Sequence, residues 1–156
     1  MMEKENMWKK TDDSKVYSSE EVKKIIEALP HKIFYISGPT RTGKTLLVKS
    51  LQAEDKLVLG SGSFQEIIIE MCQNKEISAI DGLLSAFEFY RLLCIEDVDI
   101  ILTGRTCTQE LVSEFLENYL KNGTAVFTGV KLDKYLDIIA KQKRYIIRKN
   151  RINSRL

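Results

Sequence analysis

Histidine is all but missing from this chain. His31 is the only one in 156 residues, so a histidine-built metal centre or a histidine-containing catalytic triad is excluded. Its expected place is a solvated loop ahead of the first apolar strand. Cysteine is scarce too. Cys72, Cys94 and Cys107 lie far apart, fit no metal-ligand spacing, and are odd in number without a secretion signal, which reads as reduced thiols in the cytoplasm. Long hydrophobic runs are absent. No stretch approaches the roughly 18 uncharged apolar residues of a membrane span, and the charged N-terminus has no signal-peptide core. A soluble cytoplasmic chain with no membrane partner is expected. Charge of one sign does not dominate either: 24 Lys and Arg stand against 22 Asp and Glu, a net +2 that argues neither for nor against nucleic acid. Internal repeats and long linkers are missing, so the chain is one domain, large enough to bury a core.

What is present begins with Gly38-Pro39-Thr40-Arg41-Thr42-Gly43-Lys44-Thr45. The apolar run Ile33-Phe34-Tyr35-Ile36 leads into it and Leu46-Leu47-Val48 continues from it. This is the phosphate-binding pattern G-x-x-x-x-G-K-[ST] in its strand, turn and helix context. Gly38 and Gly43 permit backbone angles and a close approach that a side chain would block. The loop N–H groups and the helix start then surround a polyphosphate. Lys44 supplies a point charge to the β- and γ-phosphates, and the Thr45 hydroxyl is placed to ligate Mg²⁺. The implied ligand is a nucleoside triphosphate with Mg²⁺.

A second informative stretch is Leu92-Leu93-Cys94-Ile95, a continuous apolar run suited to a central parallel strand. It ends in Glu96-Asp97. Such a pair can merely open a turn. Together with the phosphate loop it reads as a set of acids delivered to Mg²⁺ and the attacking water, from a strand expected beside the phosphate-loop strand.

Around these two stretches, strands and helices alternate. Residues 1–16 are polar and mixed in charge and read as a tail, with Trp8 as its anchor. Ser18-Ser19-Glu20-Glu21 has the form of a capping box for a short helix that Pro30 stops. A helix follows the loop to about Ala53, then a strand over Lys56–Leu59. Ser63 is the expected cap of the next helix, and a short one interrupted by Gly82 lies between Ile77 and Phe87. Thr108 starts a strong helix that Asn122-Gly123 ends, Thr124–Gly129 is a strand, Lys134–Lys141 a helix, and Tyr145–Ile147 the last strand. The expected fold is α/β: a three-layer αβα P-loop NTPase with a mainly parallel five-stranded sheet, its core over residues 17–147. A basic tail, 148–156, follows. From Lys141 on, Lys143, Arg144, Arg148, Lys149, Arg151 and Arg155 occur with no acid after Asp137. That run suits DNA or another nucleic acid, a solvated surface, or an acidic protein partner.

In order and spacing, Ile33–Val48, Ser61–Glu76, Leu92–Ile100 and Thr108–Leu132 resemble the AAA+ core of DnaA-type bacterial replication initiators and their short stand-alone relatives. The resemblance spans roughly residues 30 to 135. It implies ATP at the phosphate loop, Glu96 and Asp97 at the family's paired-acid positions for Mg²⁺ and water activation, and Thr128 near the sensor position that reads the γ-phosphate. It departs from the family at Arg41, where glycine is usual, and at Glu96-Asp97, where two aspartates are usual. No arginine-finger segment is recognisable; Lys143 and Arg144 stand near its place without a motif. No lid and no helix-turn-helix domain is expected. The resemblance therefore implies an ATP-binding regulator or adaptor in DNA replication. Its ATP hydrolysis would be weak or partner-dependent, and it would associate with itself or with a replication protein. A small P-loop nucleoside or nucleotide kinase, with the arginine-rich tail as its lid, is the alternative.

Overall fold

The computed structural model describes residues 7–10, 16–28, 30–38, 43–99, 106–130 and 144–149. Seven strands form one sheet: β1 (Met7–Lys10), β2 (Val16–Ser18), β3 (Ile33–Ser37), β4 (Lys56–Gly60), β5 (Leu92–Glu96), β6 (Thr124–Gly129) and β7 (Arg144–Lys149). Their spatial order is β2-β1-β7-β3-β6-β5-β4. The five strands from β7 to β4 are mutually parallel, while β1 and β2 extend the sheet antiparallel beyond β7. The helices are α1 (Ser19–Ala28), α2 (Lys44–Ser50), α3 (Ser61–Gln73), α4 (Ala79–Phe87) and α5 (Thr106–Tyr119).

The side-chain alternation of the central strands separates two cores. Ile33 and Tyr35 face the same side as Leu93, Ile95, Ala125 and Phe127, and there α3, α4 and α5 close the layer. Phe34 and Ile36 face the other side with Leu92, Cys94 and Val126, under α1 and α2. Both faces are therefore dry, and β3, β5 and β6 read as unbroken apolar runs for that reason. On the larger side Phe64, Phe87 and Phe115 meet at centroid distances of 5.7–6.3 Å, and Tyr119 stacks on Phe115 at 5.5 Å. The predicted three-layer αβα architecture is the one observed.

The capping box forms as a reciprocal pair: Glu21 N–H donates to Ser18 Oγ at 3.2 Å, and Ser18 N–H to Glu21 Oε1 at 3.2 Å. Several expectations need correction. Met7–Lys10, expected within a tail, is a sheet strand, and so are Arg148 and Lys149, which close β7. The loop helix α2 ends at Ser50, short of Ala53. Helix α3 begins at Ser61, ahead of Ser63, with Gly60 as its N-cap and no side-chain cap. Gly82 does not interrupt α4. It lets Met71 pack close, since a Cβ there would lie 2.5 Å from Met71 Sδ. The acid-ended strand β5 is not next to β3, because β6 lies between them. The helix expected over Lys134–Lys141 lies outside the described residues.

Candidate functional site

The carboxyl ends of β3, β6 and β5 lie side by side, which is where parallel α/β sheets bind ligands. Of the phosphate-loop residues, Gly38, Gly43, Lys44 and Thr45 are described, while Pro39, Thr40, Arg41 and Thr42 lie outside the described residues. Gly43 adopts φ 92°, a left-handed angle that only glycine takes without strain. It sets the direction in which α2 leaves the loop. Lys44, the first residue of α2, is buried at 7% exposure, and Thr45 beside it is exposed.

The Lys44 ammonium donates to the Gly38 carbonyl and, at 3.2 Å, to the Gly129 carbonyl. Gly129 O also accepts the Gly38 N–H at 3.1 Å. The loop lysine is thus anchored across the ends of β3 and β6. Burial pushes its pKa below the ordinary amine value, and the carboxylates of Asp97 and Asp99 oppose that shift.

The acids are tied to the same strand end. Asp97 N–H donates to Thr128 Oγ1 at 3.2 Å, Val98 N–H donates to Thr128 O at 2.9 Å, and Val130 N–H donates to the Asp99 carboxylate at 3.1 and 3.3 Å. Asp97 holds φ 58°, a left-handed turn that aspartate tolerates better than most residues. Thr128 is buried at 2% exposure. Its oxygen accepts from Asp97, which leaves the hydroxyl hydrogen to donate elsewhere. Glu96 closes β5 half-buried, and its Oε1 is a buried oxygen with no hydrogen-bond partner among the described residues.

A buried carboxylate oxygen without a donor asks for a cation or water. Glu96 and the exposed Thr45 hydroxyl are both hard oxygen donors of the kind Mg²⁺ takes, and they fit that ion. Among the described residues no three His, Cys, Asp or Glu side chains converge on a metal position. Nucleotide Mg²⁺ needs no such cage, since it draws most ligands from phosphates and water.

Sequence reasoning thus named Lys44, Glu96, Asp97 and Thr128, and the structure brings them together at one sheet edge. It missed Gly129, whose carbonyl receives the lysine, and Asp99, which holds the chain after β6. The only signals were adjacency to Thr128 and a third acid two residues beyond Asp97. Arg144, noted near the arginine-finger place, pairs with Ile33 at the opposite end of β3 from the loop.

The fold has solved counterparts. The chain is similar to domain III of the Thermotoga maritima replication initiation protein DnaA, with TM-score 0.61 and 15% identity over 76% of this chain and 53% of that one. It is similar to a replication initiator DnaA bound to AMPPCP and single-stranded DNA, with TM-score 0.59 and 21% identity over 78% of this chain and 40% of that one. AMPPCP-bound DnaA from Aquifex aeolicus gives TM-score 0.54 and 19% identity over 80% and 40%. The chain spans 53% or less of each of these proteins. At such identities the likeness is one of fold: the α/β fold shared with these DnaA structures. No protein-family model matches the chain, and no curated protein matches it in sequence.

Proposed function

We propose that this chain is a DnaA-related AAA+ protein that binds ATP and ADP with Mg²⁺. We read it as a cytoplasmic regulator or adaptor in DNA replication with weak or partner-dependent ATP hydrolysis. The observation that carries the reading is Lys44. A lysine ammonium is buried across the ends of β3 and β6, with Asp97, Asp99 and the orphaned Glu96 oxygen on the adjacent strand end. The Gly38 and Gly129 carbonyls hold the ammonium at the strand ends, where a polyphosphate entering over Gly38 and Gly43 would meet it.

In this reading Lys44 would exchange its two carbonyls for the β- and γ-phosphates, and Thr45 and Glu96 would hold Mg²⁺, which would offset phosphate charge. Asp97 orients the attacking water, and Thr128 donates its hydroxyl hydrogen to the γ-phosphate. The remaining loop residues, Pro39 to Thr42, belong to the same phosphate-binding sequence pattern. Glutamate at the metal-facing position, one methylene longer than aspartate, would reach the ion through water, and weak hydrolysis is read together with that departure. Self-association or a replication-protein partner would supply the arginine that the family brings from a neighbour.

The test is calorimetric titration of Mg²⁺-ATP into wild type and Lys44→Ala, with light scattering on the same samples. Wild type should bind, and the variant should lose at least about tenfold in affinity, the usual scale of a charge-assisted contact. Scattering should rise with ATP. A wild type that binds no ATP, or that phosphorylates a small-molecule acceptor, sinks the reading.

A further inference from the structure

A segment expected in the N-terminal tail, Met7–Lys10, and the start of the expected basic tail, Arg148 and Lys149, meet as strands beside β3. Strand β1 (Met-Trp-Lys-Lys) and strand β7 (Arg-Tyr-Ile-Ile-Arg-Lys) are antiparallel neighbours, and β7 is the immediate neighbour of β3. Their ten residues contain Lys9, Lys10, Arg144, Arg148 and Lys149 and no acid. The register places these cations unevenly. Arg144 is level with Ile33, at the far end of β3. Arg148 is level with Ser37, the last residue before Gly38, and Lys9 is level with Arg148.

The row continues across the sheet. Ser37 pairs with Gly129, whose carbonyl Lys44 uses, so one row reads Lys9, Arg148, Ser37, Gly129. The row beneath it reads Lys10, Ile147, Ile36, Thr128. Neighbouring strands lie about 4.8 Å apart, so Arg148 starts one such step from the strand that opens into the loop and Lys9 two steps.

Charge balance gives a separate reason for a cation there. Leaving β1 and β7 aside, the described residues around the loop end present one cation, Lys44, against the carboxylates of Glu96, Asp97 and Asp99. That is a formal excess of two negative charges before any ligand arrives. A magnesium nucleotide is itself anionic, and like charges a few ångströms apart repel strongly in a partly buried site.

We propose that the ends of β1 and β7 form a second phosphate-binding element of the nucleotide site, with Arg148 as a phosphate contact and Lys9 beside it. The proposal rests on the ATP-binding reading and adds a cation supplied by the same chain. An arginine suits the role, because its planar fork meets two phosphate oxygens at once. It also gives Lys9, Arg148 and Lys149 a reason to sit at this end of the sheet.

The experiment titrates ATP, ADP and AMP into the full chain carrying Arg148→Ala, Arg148→Lys or Lys9→Ala, with Lys44→Ala and Arg41→Ala as references. Arg148→Ala should weaken ATP and ADP about tenfold, as expected for one charge-assisted contact, and AMP far less. Arg148→Lys should restore part of the loss. Lys9→Ala should cost about threefold and flatten the salt dependence. Thermal melts accompany each variant, and if Arg148→Ala does not fold, Arg148→Gln and Arg148→Lys decide.

ATP affinity within about twofold of wild type for the folded Arg148 variants, while Lys44→Ala loses binding, overturns the proposal and leaves the ATP reading intact. So does a result in which Arg41→Ala carries the whole loss. If nucleotide affinity is unchanged but a single-stranded oligonucleotide is lost, the element belongs to nucleic acid and the proposal falls. A wild type that binds no nucleotide removes both readings together.

Discussion

Lys44 shows at the scale of one residue how a functional group is held at a cost to the resting protein. Its ammonium is buried, its pKa lies below the ordinary 10.5 because of that burial, and Asp97 and Asp99 only partly compensate. A base with a lowered folded-state pKa is more protonated unfolded than folded in the window between the two values. The unfolded state then binds more protons, so stability must rise with pH across that window. Lys44→Met keeps the stem and removes the charge. In the absence of nucleotide it should melt no lower than wild type, and its melting temperature should lose the rise toward pH 10.5 that Lys44 gives wild type. Melts across the alkaline range check both points. A drop of more than about 4 °C at neutral pH, on the order of 1 kcal/mol or more for a chain of this size, would show that the bonds to Gly38 and Gly129 outweigh the burial.

A second residue makes a related point about legibility. Gly123 looks in the sequence like an ordinary helix terminator, and it does follow α5. In the structure it is also a packing site, since a Cβ there would lie 2.7–2.9 Å from the ring of Tyr119. The Tyr119 hydroxyl in turn donates to the Tyr90 carbonyl. Turn chemistry is written locally and was readable. The close approach of a ring is decided by tertiary packing and was not.

At the scale of elements, α2 is the one most in need of support. It has seven residues, too few to be stable alone. Its carboxyl end is closed by Lys56, the first residue of β4, whose ammonium donates to Val48 O at 2.7 Å, Leu51 O at 2.9 Å and Lys49 O at 3.1 Å. A cation on the last carbonyls of a helix satisfies orphan acceptors and complements the helix dipole. Lys56→Met should therefore cost about 1–2 kcal/mol, since hydrogen bonds to charged groups are worth more than neutral ones. The loss should reach the nucleotide site, because α2 begins with Lys44. Lys56→Arg, which keeps a donor, should recover most of the stability. Denaturant titration with and without ATP measures both effects. A Lys56→Met protein as stable as wild type would show that water replaces the ammonium without loss.

Element identity was largely legible. The apolar runs of β3, β5 and β6 gave strands because both faces of those strands are buried, and the Ser18–Glu21 box gave a helix start that formed as expected. Order across the sheet was not legible. Placing β5 beside β3 was the natural guess from two motifs that share a ligand. The insertion of β6 between them is a matter of connection, which no local pattern records. The insertion has a functional consequence: Thr128 and Gly129 become the physical bridge between the acids and the lysine.

At the scale of the whole molecule, the sheet's weak side is the one the sequence hid. Strands β1 and β2 are short, four and three residues, and a short edge strand such as β2 offers little backbone for pairing with other chains. The two lysines of β1 made Met7–Lys10 look like a tail. β7 is different, with Tyr145, Ile146 and Ile147 between its basic ends, and it is an interior strand only because β1 covers it. Removing residues 1–18 would strip β1 and β2 and leave β7 with a row of unpaired N–H and C=O groups. The truncated chain should melt lower than the full one and should self-associate as its concentration rises, through edge-to-edge pairing at β7. Light scattering without nucleotide separates this from ATP-driven assembly, because edge pairing needs no ligand. A truncated chain that stays monomeric with an unchanged melting temperature would mean that the five parallel strands are self-sufficient. The antiparallel pair would then serve the ligand edge rather than stability.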